Sequence, residues 1–252
     1  MGTDLQRKRA TFRALHERGC FMIPNPWDLG GVRRLERLGF QALASTSAGY
    51  AWSRGREDRQ LMRDEVLSHL RELCAATDLP INADFERGFA DEPEEVAANV
   101  LMAIETGVAG LSIEDRVDQE LYPLPLAIER IRASREAIDR SRQNVMLVAR
   151  SEGLVMKRFD LKQTIERLVA YAEAGADCLF APGVKQISEV EEVVAAVAPK
   201  PVNVLLLDSS MHVPQLAAAG VRRVSVGSGF ARAAWAGFEA AARSVRDQGR
   251  LP

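Results

Sequence analysis

Short apolar runs rich in β-branched residues recur eight times along the chain, separated by longer stretches of helical period, and this alternation constrains the fold more than any other feature. The runs fall at 20–24, 41–45, 80–84, 110–114, 145–150, 177–181, 202–207 and 223–226. Several are apolar throughout, as strands buried on both faces of a parallel sheet must be. Between them, Val66, Leu67, Leu70, Leu73 and Cys74 recur at helical spacing within 64–76, and 94–105, 126–138, 161–174 and 187–197 read the same way. Gly39, Gly107, Gly175 and Gly220 close helices just ahead of the next run. Asp91, two residues before Pro93, reads as a helix cap with proline in the first turn. Eight strands, each followed by a helix, predict a (β/α)8 TIM barrel. An open doubly wound sheet is the rival, but its Gly-x-Gly-x-x-Gly turn is missing after the first run.

At 252 residues the chain suits one barrel domain over 1–252, with helical ends at 1–18 and 230–252. The last helix is rich in alanine (Ala231, Ala233, Ala234, Ala236, Ala240, Ala241, Ala242), which suits either close packing on a partner subunit or an ordinary barrel-covering helix. Net charge is −2 with both signs interspersed, which argues against nucleic acid as the main partner. No run approaches the ~20 apolar residues of a membrane span, so no membrane association is expected. Cys20, Cys74 and Cys178 lie far apart and form no CxxC pair, which fits a reducing, cytoplasmic setting. The charged N-terminus has no apolar stretch behind it and does not read as a signal peptide.

In such a barrel the chemistry sits at the C-terminal ends of the strands. There the sequence places Trp27 and Asp28, then Ser45, Thr46 and Ser47, then Asp84 and Glu86, then Glu114, then Arg150, with Asn203 on the seventh strand. Asp84 and Glu86 are two apart, hence on one face of an extended chain, and Glu114 arrives from the neighbouring strand. Three carboxylates in one mouth repel one another unless a cation lies between them, and oxygen ligands favour Mg²⁺ or Mn²⁺. Arg150 offers a fork for a substrate carboxylate or phosphonate, while Ser45, Thr46 and Ser47 offer hydroxyls and N–H groups for a second anionic end. A cation on a 2-oxo acid stabilises the enolate left when a bond to C3 breaks. The plainer reading of such carboxylates is loop caps and salt bridges, with Arg150 simply paired to Glu114. Trp27 reads equally well as a core or rim aromatic or a substrate wall; Ser228 between two glycines resembles a phosphate nest, but a plain tight turn is the better reading.

The phrases "IPNPWD" (23–28), "ASTSAGYAWSRGREDRQ" (44–60), "INADFERGF" (81–89), "GLSIEDR" (110–116), "LVARSE" (147–152) and "GADCLFAPG" (175–183) together resemble the isocitrate lyase / phosphoenolpyruvate mutase superfamily over almost the whole chain. The resemblance implies a Mg²⁺ site with Asp84 as direct ligand and with Glu86 in place of a second aspartate. It implies that Asp58 and Glu114 hold the ion's waters, that Arg150 grips the substrate, and that Ser45, Thr46 and Ser47 bind the oxo-acid carboxylate. It also implies a homodimer or homotetramer in which the last helix is exchanged between subunits. The loop 115–124 departs from the superfamily's lyases, which carry a Lys-Lys/Arg-Cys-Gly-His segment there. Here it holds no cysteine, histidine or lysine, so isocitrate or 2-methylisocitrate cleavage is not expected and the chain resembles the divergent phosphonomutase-like branch. Tyr122, Glu120 and Glu152 remain alternatives for moving the proton. Two other functions are open at this level: a Schiff-base aldolase using Lys185, and a non-catalytic barrel.

Overall fold

The computed structural model describes residues 2–252. Helix α1 (Gly2–Leu15) precedes β1 (Phe21–Ile23), and α2 (Leu29–Arg37), β2 (Leu43–Ala44), α3 (Ser47–Ser53), α4 (Arg63–Ala75), β3 (Ile81–Asp84), α5 (Pro93–Glu105) and β4 (Gly110–Glu114) follow. A hairpin of β5 (Arg116–Val117) and β6 (Glu120–Leu121) interrupts the alternation. It resumes with α6 (Leu124–Ser141), β7 (Met146–Arg150), α7 (Leu161–Glu173), β8 (Cys178–Phe180), α8 (Ile187–Val197), β9 (Val202–Leu205), α9 (Val213–Ala218), β10 (Arg223–Ser225) and α10 (Gly229–Gln248).

All eight predicted strands are present and parallel, in the order β1-β10-β9-β8-β7-β4-β3-β2. The remaining seam, between β1 and β2, is bridged where Ala44 N–H donates to Pro24 O at 3.0 Å, so the sheet is a nearly closed TIM barrel. Asn25 ties the same seam on three sides: its amide donates to Ser45 O, and its Oδ1 accepts from the N–H groups of Val226 and Gly227. The four glycines read as helix closers all have positive φ, from 84° to 105°. A helix does start here with Pro93 in its first turn, as expected, but Asp91 is not its cap. Glu92 occupies the cap position of α5 without a side-chain bond, and Asp91 instead accepts from Tyr122 and Arg87. The hairpin β5/β6 was not foreseen, because four residues of pairing carry no periodicity.

The main core lies between sheet and helices, from Val32 and Leu35 round to Leu216 and Val224. A second cluster plugs the N-terminal end of the barrel, where Phe12 of α1 packs with Phe21, Ile23, Ala42, Ala44, Ala109 and Met146. Gly110 makes room for that plug: a Cβ there would stand 2.7 Å from Phe12 Cε1 and 2.8 Å from Asn82 Oδ1. With one end stoppered by aromatic packing, access to the interior is from the C-terminal ends of the strands. No helix of the described residues is long and apolar enough to cross a membrane.

Candidate active site

A cavity of about 150 Å³ opens at the C-terminal ends of the strands, between the 45–48 turn, Asp58, Asp84 and Arg150. Ser45 follows β2 directly, and its hydroxyl accepts the Asp84 N–H at 2.8 Å. Thr46 caps α3 by accepting Gly49 N–H. Ser47 donates to Asp84 Oδ2 twice, from its backbone N–H at 3.0 Å and from its hydroxyl at 2.9 Å. The same hydroxyl lies 3.4 Å from Asp58 Oδ1. The turn therefore orients Asp84, while the Ser45 and Thr46 hydroxyl protons remain available to the cavity.

Opposite stands Arg150, the last residue of β7. Its Nε bonds Glu152 Oε1 and lies 3.7 Å from Glu114 Oε2, and its Nη1 is 3.6 Å from Asp84 Oδ1. The Phe180 ring lies 5.3 Å from the guanidinium carbon. Burial by itself would lower this arginine's pKa, but Glu152, Glu114 and Asp84 together hold it above the ordinary value, so it stays charged. A second guanidinium joins the cluster: Arg59 Nη2 is 2.6 Å from Glu114 Oε1 and 3.9 Å from Glu152 Oε2. Two arginines thus offset part of the negative charge at the strand ends, while the pKa values of Asp58 and Glu86 are still pushed up by burial and by neighbouring carboxylates. The sequence reading of three mutually repelling carboxylates left these two arginines out.

Asp84 and Glu86 do not share a face. β3 ends at Asp84, and Glu86 has φ 48°, so the chain is no longer extended and the alternation argument fails. Glu86 lines a neighbouring hollow with Arg59, Arg63 and Arg87 rather than the central cavity. Its Oε1 is buried without a partner, and burial, then Asp84 and Asp58, push its pKa up to about 7. Glu114, 3% exposed, is likewise raised, chiefly by burial.

Trp27 and Asn203 are absent from the described lining of the cavity. Trp27 packs its Cβ against Gly49, and Asn203 sits behind the floor, bonded to Ser225 and Arg223. Ser228 does line the cavity. Lys185 is half exposed and 3.5 Å from Asp208, a solvated position that gives no desolvation to activate an amine. In the altered loop, Tyr122 is buried, gives its hydroxyl to Asp91, and lies under the Arg130 guanidinium at 4.1 Å. Glu120 is exposed and pairs with Arg158.

Sequence reasoning missed Arg59 and Asp115 as parts of the site. Asp115 is 4% exposed and accepts from Tyr171 at 2.7 Å, Arg167 at 3.0 Å, Ser151 at 3.2 Å and Glu152 N–H at 2.8 Å, which fixes the backbone that carries Glu152. The only sequence signal for Arg59 was its position next to Asp58.

Among the described residues no three His, Cys, Asp or Glu side chains already stand together as a metal cluster. Mg²⁺ does not require one, since it keeps several waters and uses one or two carboxylates. The oxygen donors of Asp84, Asp58 and the 45–48 turn fit a hard, hydrated cation, and Glu86, with one buried oxygen unpartnered, lies close enough to feel the charge of Asp84 and Asp58.

Residues 12–246 match the family model for phosphoenolpyruvate phosphomutase. A candidate lyase/mutase from Burkholderia cenocepacia J2315, known from its crystal structure, is 46% identical with TM-score 0.94, covering 98% of this chain and 91% of that one. An oxaloacetate acetylhydrolase, solved with its product oxalate, is 25% identical with TM-score 0.89 over 98% of this chain and 89% of that one. An uncharacterized protein of Mycobacterium tuberculosis strain H37Rv is 31% identical over 96% of this chain and 91% of its own length.

Proposed function

The chain belongs to the phosphoenolpyruvate phosphomutase family of the PEP mutase/isocitrate lyase superfamily, and on that premise we propose a Mg²⁺-dependent lyase or phosphonomutase-like enzyme that breaks or makes a C–C or P–C bond beside a small 2-oxo acid. One observation carries the reading: Asp84, oriented twice by Ser47, and the charged Arg150, 3.6 Å from it, together line a cavity walled by the 45–48 turn. An anionic substrate finds hydrogen-bond donors there on opposite walls.

Asp84 would hold Mg²⁺ directly (or Mn²⁺), with Asp58 beside it in the same cavity; Glu86, which faces the neighbouring hollow, and Glu114, paired with Arg59 and Arg150, would act at longer range through the ion's waters. When bound, the ion supplies positive charge where an enolate oxygen develops. The protein's own groups do the rest. The Ser45 and Thr46 hydroxyls orient the oxo-acid end. Arg150, kept in place by Glu152 and Glu114, presents its guanidinium to the group being cleaved or transferred. Phe180 and Leu205 shield one side of the cavity from water, which strengthens each polar contact within it.

In the loop 115–124 Tyr122 is engaged by Asp91, and burial raises the pKa of its hydroxyl further, so it is a poor proton donor. Substrates that need a strong acid at the departing carbon are therefore disfavoured. The test is a screen of phosphonopyruvate, oxaloacetate and C3-branched malates and isocitrates, with and without Mg²⁺. Turnover that is unaffected by removing the ion would overturn the metal assignment, and no turnover of any 2-oxo acid or its adducts would overturn the substrate class.

We also propose a homodimer or homotetramer. Helix α10 buries only Ala231 in the isolated chain and leaves Phe230, Trp235, Phe238 and Val245 exposed, as expected of a helix that completes a second copy.

A further inference from the structure

Beneath the metal-facing carboxylates the barrel interior is polar, and its centre is a guanidinium. Arg223 begins β10 and points inward with Ser225, two residues on. It is 3% exposed. Its Nε donates to Asn203 Oδ1 at 2.9 Å and its Nη1 to Asn82 Oδ1 at 3.3 Å. Asn203 in turn gives its amide to Ser225. Among the described residues Arg223 has no carboxylate partner, and Nη2 has no hydrogen-bond acceptor, yet the residue lines the cavity together with Ser225, Asn82 and Ser112. A buried cation without a counter-ion is costly unless something anionic meets it. The two asparagines hold the fork rigidly but carry no charge. Ser225, whose oxygen already accepts from Asn203, has its hydroxyl proton left to give.

We propose that Arg223 and Ser225 form an anion site on the floor of the cavity that takes a second carboxylate of the substrate, so that the enzyme selects 2-oxo acids that are dicarboxylates. This deepens the function proposed above and rests on it for the word substrate; the anion site itself does not need the metal. Asn82 lies two residues before Asp84 on β3, so the floor is one inward-facing step, about 6.6 Å, below the metal-facing carboxylate. A four-carbon chain spans that depth.

The test compares succinate with butyrate, chains of equal length that differ in one carboxylate, by calorimetric titration of the full chain in EDTA. Wild type is expected to bind succinate about tenfold or more tightly than butyrate, the scale of one charge-assisted hydrogen bond. Arg223→Met should erase the difference, and Arg223→Lys, which keeps the charge but loses the fork, should retain part of it. An undiminished preference in either folded variant, or none in wild type, overturns the proposal. If Arg223→Met fails to fold, Arg223→Lys and Ser225→Ala decide, and both must narrow the preference. The metal reading fails separately: a wild type that binds no Mg²⁺ but still discriminates succinate keeps the anion site and loses the metal.

Discussion

Asp84 takes two hydrogen bonds from one serine and stands 3.6 Å from Arg150, so its chemistry and its packing can be separated by substitution. Asp84→Ala removes an acceptor from Ser47 and one of three carboxylates near Arg150, which stays paired with Glu152 and Glu114. Stability is expected to fall by about 1 kcal/mol, while Mg²⁺ binding measured by calorimetry and turnover are both lost. Unchanged Mg²⁺ binding would remove Asp84 from the ligand set. At the other end of the barrel, His16 is wedged edge-on between Phe12 and Phe21, with Nδ1 2.8 Å from Phe12 O. Burial, helped by the charge of Arg223, lowers its pKa from 6.5 to about 3. Between those values the unfolded chain binds the extra proton, so this residue's contribution to stability is present above pH 6.5 and is lost as pH falls. In urea titrations across that window, His16→Phe should flatten the slope of stability against pH by up to about 1.4 kcal/mol per pH unit. A slope equal to that of wild type would mean the imidazole is not held neutral.

At the scale of elements, Asp115 joins β4 to β7 and α7 through Ser151, Glu152, Arg167 and Tyr171. Removing it strands Arg167, whose side chain is 8% exposed. Asp115→Ala is therefore expected to cost about 3–5 kcal/mol in denaturant unfolding, and to weaken substrate affinity because Glu152 no longer holds Arg150. A loss below ~1 kcal/mol would show that water replaces the carboxylate. The neighbouring hairpin bears on chemistry. With Tyr122 bound to Asp91 and Glu120 at the surface, neither of the two donor candidates in this loop is free, and a positioned acid contributes ~10²–10⁴-fold to a step of this kind. Isocitrate and 2-methylisocitrate cleavage should be negligible in a coupled assay. Turnover of either at ~1–10³ s⁻¹ would show that another group delivers the proton.

For the whole molecule, the aromatic face of α10 sets the expected assembly. Phe238 is 65% exposed and stands edge-on to Trp235, at 5.9 Å between ring centroids. Light scattering at micromolar concentration should report a dimer or a dimer of dimers, and a Phe238→Asp, Trp235→Ala double variant should shift it toward monomer. A monomeric wild type would leave that face without the proposed partner. If the helix also completes the neighbouring subunit, dissociation and loss of activity should run together on dilution.

The alternation of apolar runs with helical periods determined the barrel, since a strand buried on both faces and a helix buried on one leave different periods in any sequence. The glycines at 39, 107, 175 and 220 marked helix ends because few other residues tolerate their positive φ. The placement of Ser45, Thr46, Ser47, Asp84 and Arg150 around one cavity was legible as well, because strand ends in a barrel converge wherever their order lies in the chain. What only the tertiary structure decided was which charges meet. Arg59 reaches Glu114 from the segment after α3, Glu86 turns away from Asp84 within two residues, and Arg223 finds two asparagines on other strands instead of an acid. Coulomb energies change severalfold over a few ångströms and with burial. Those distances arise from register and backbone turns between distant segments, which residue order along the chain does not encode locally.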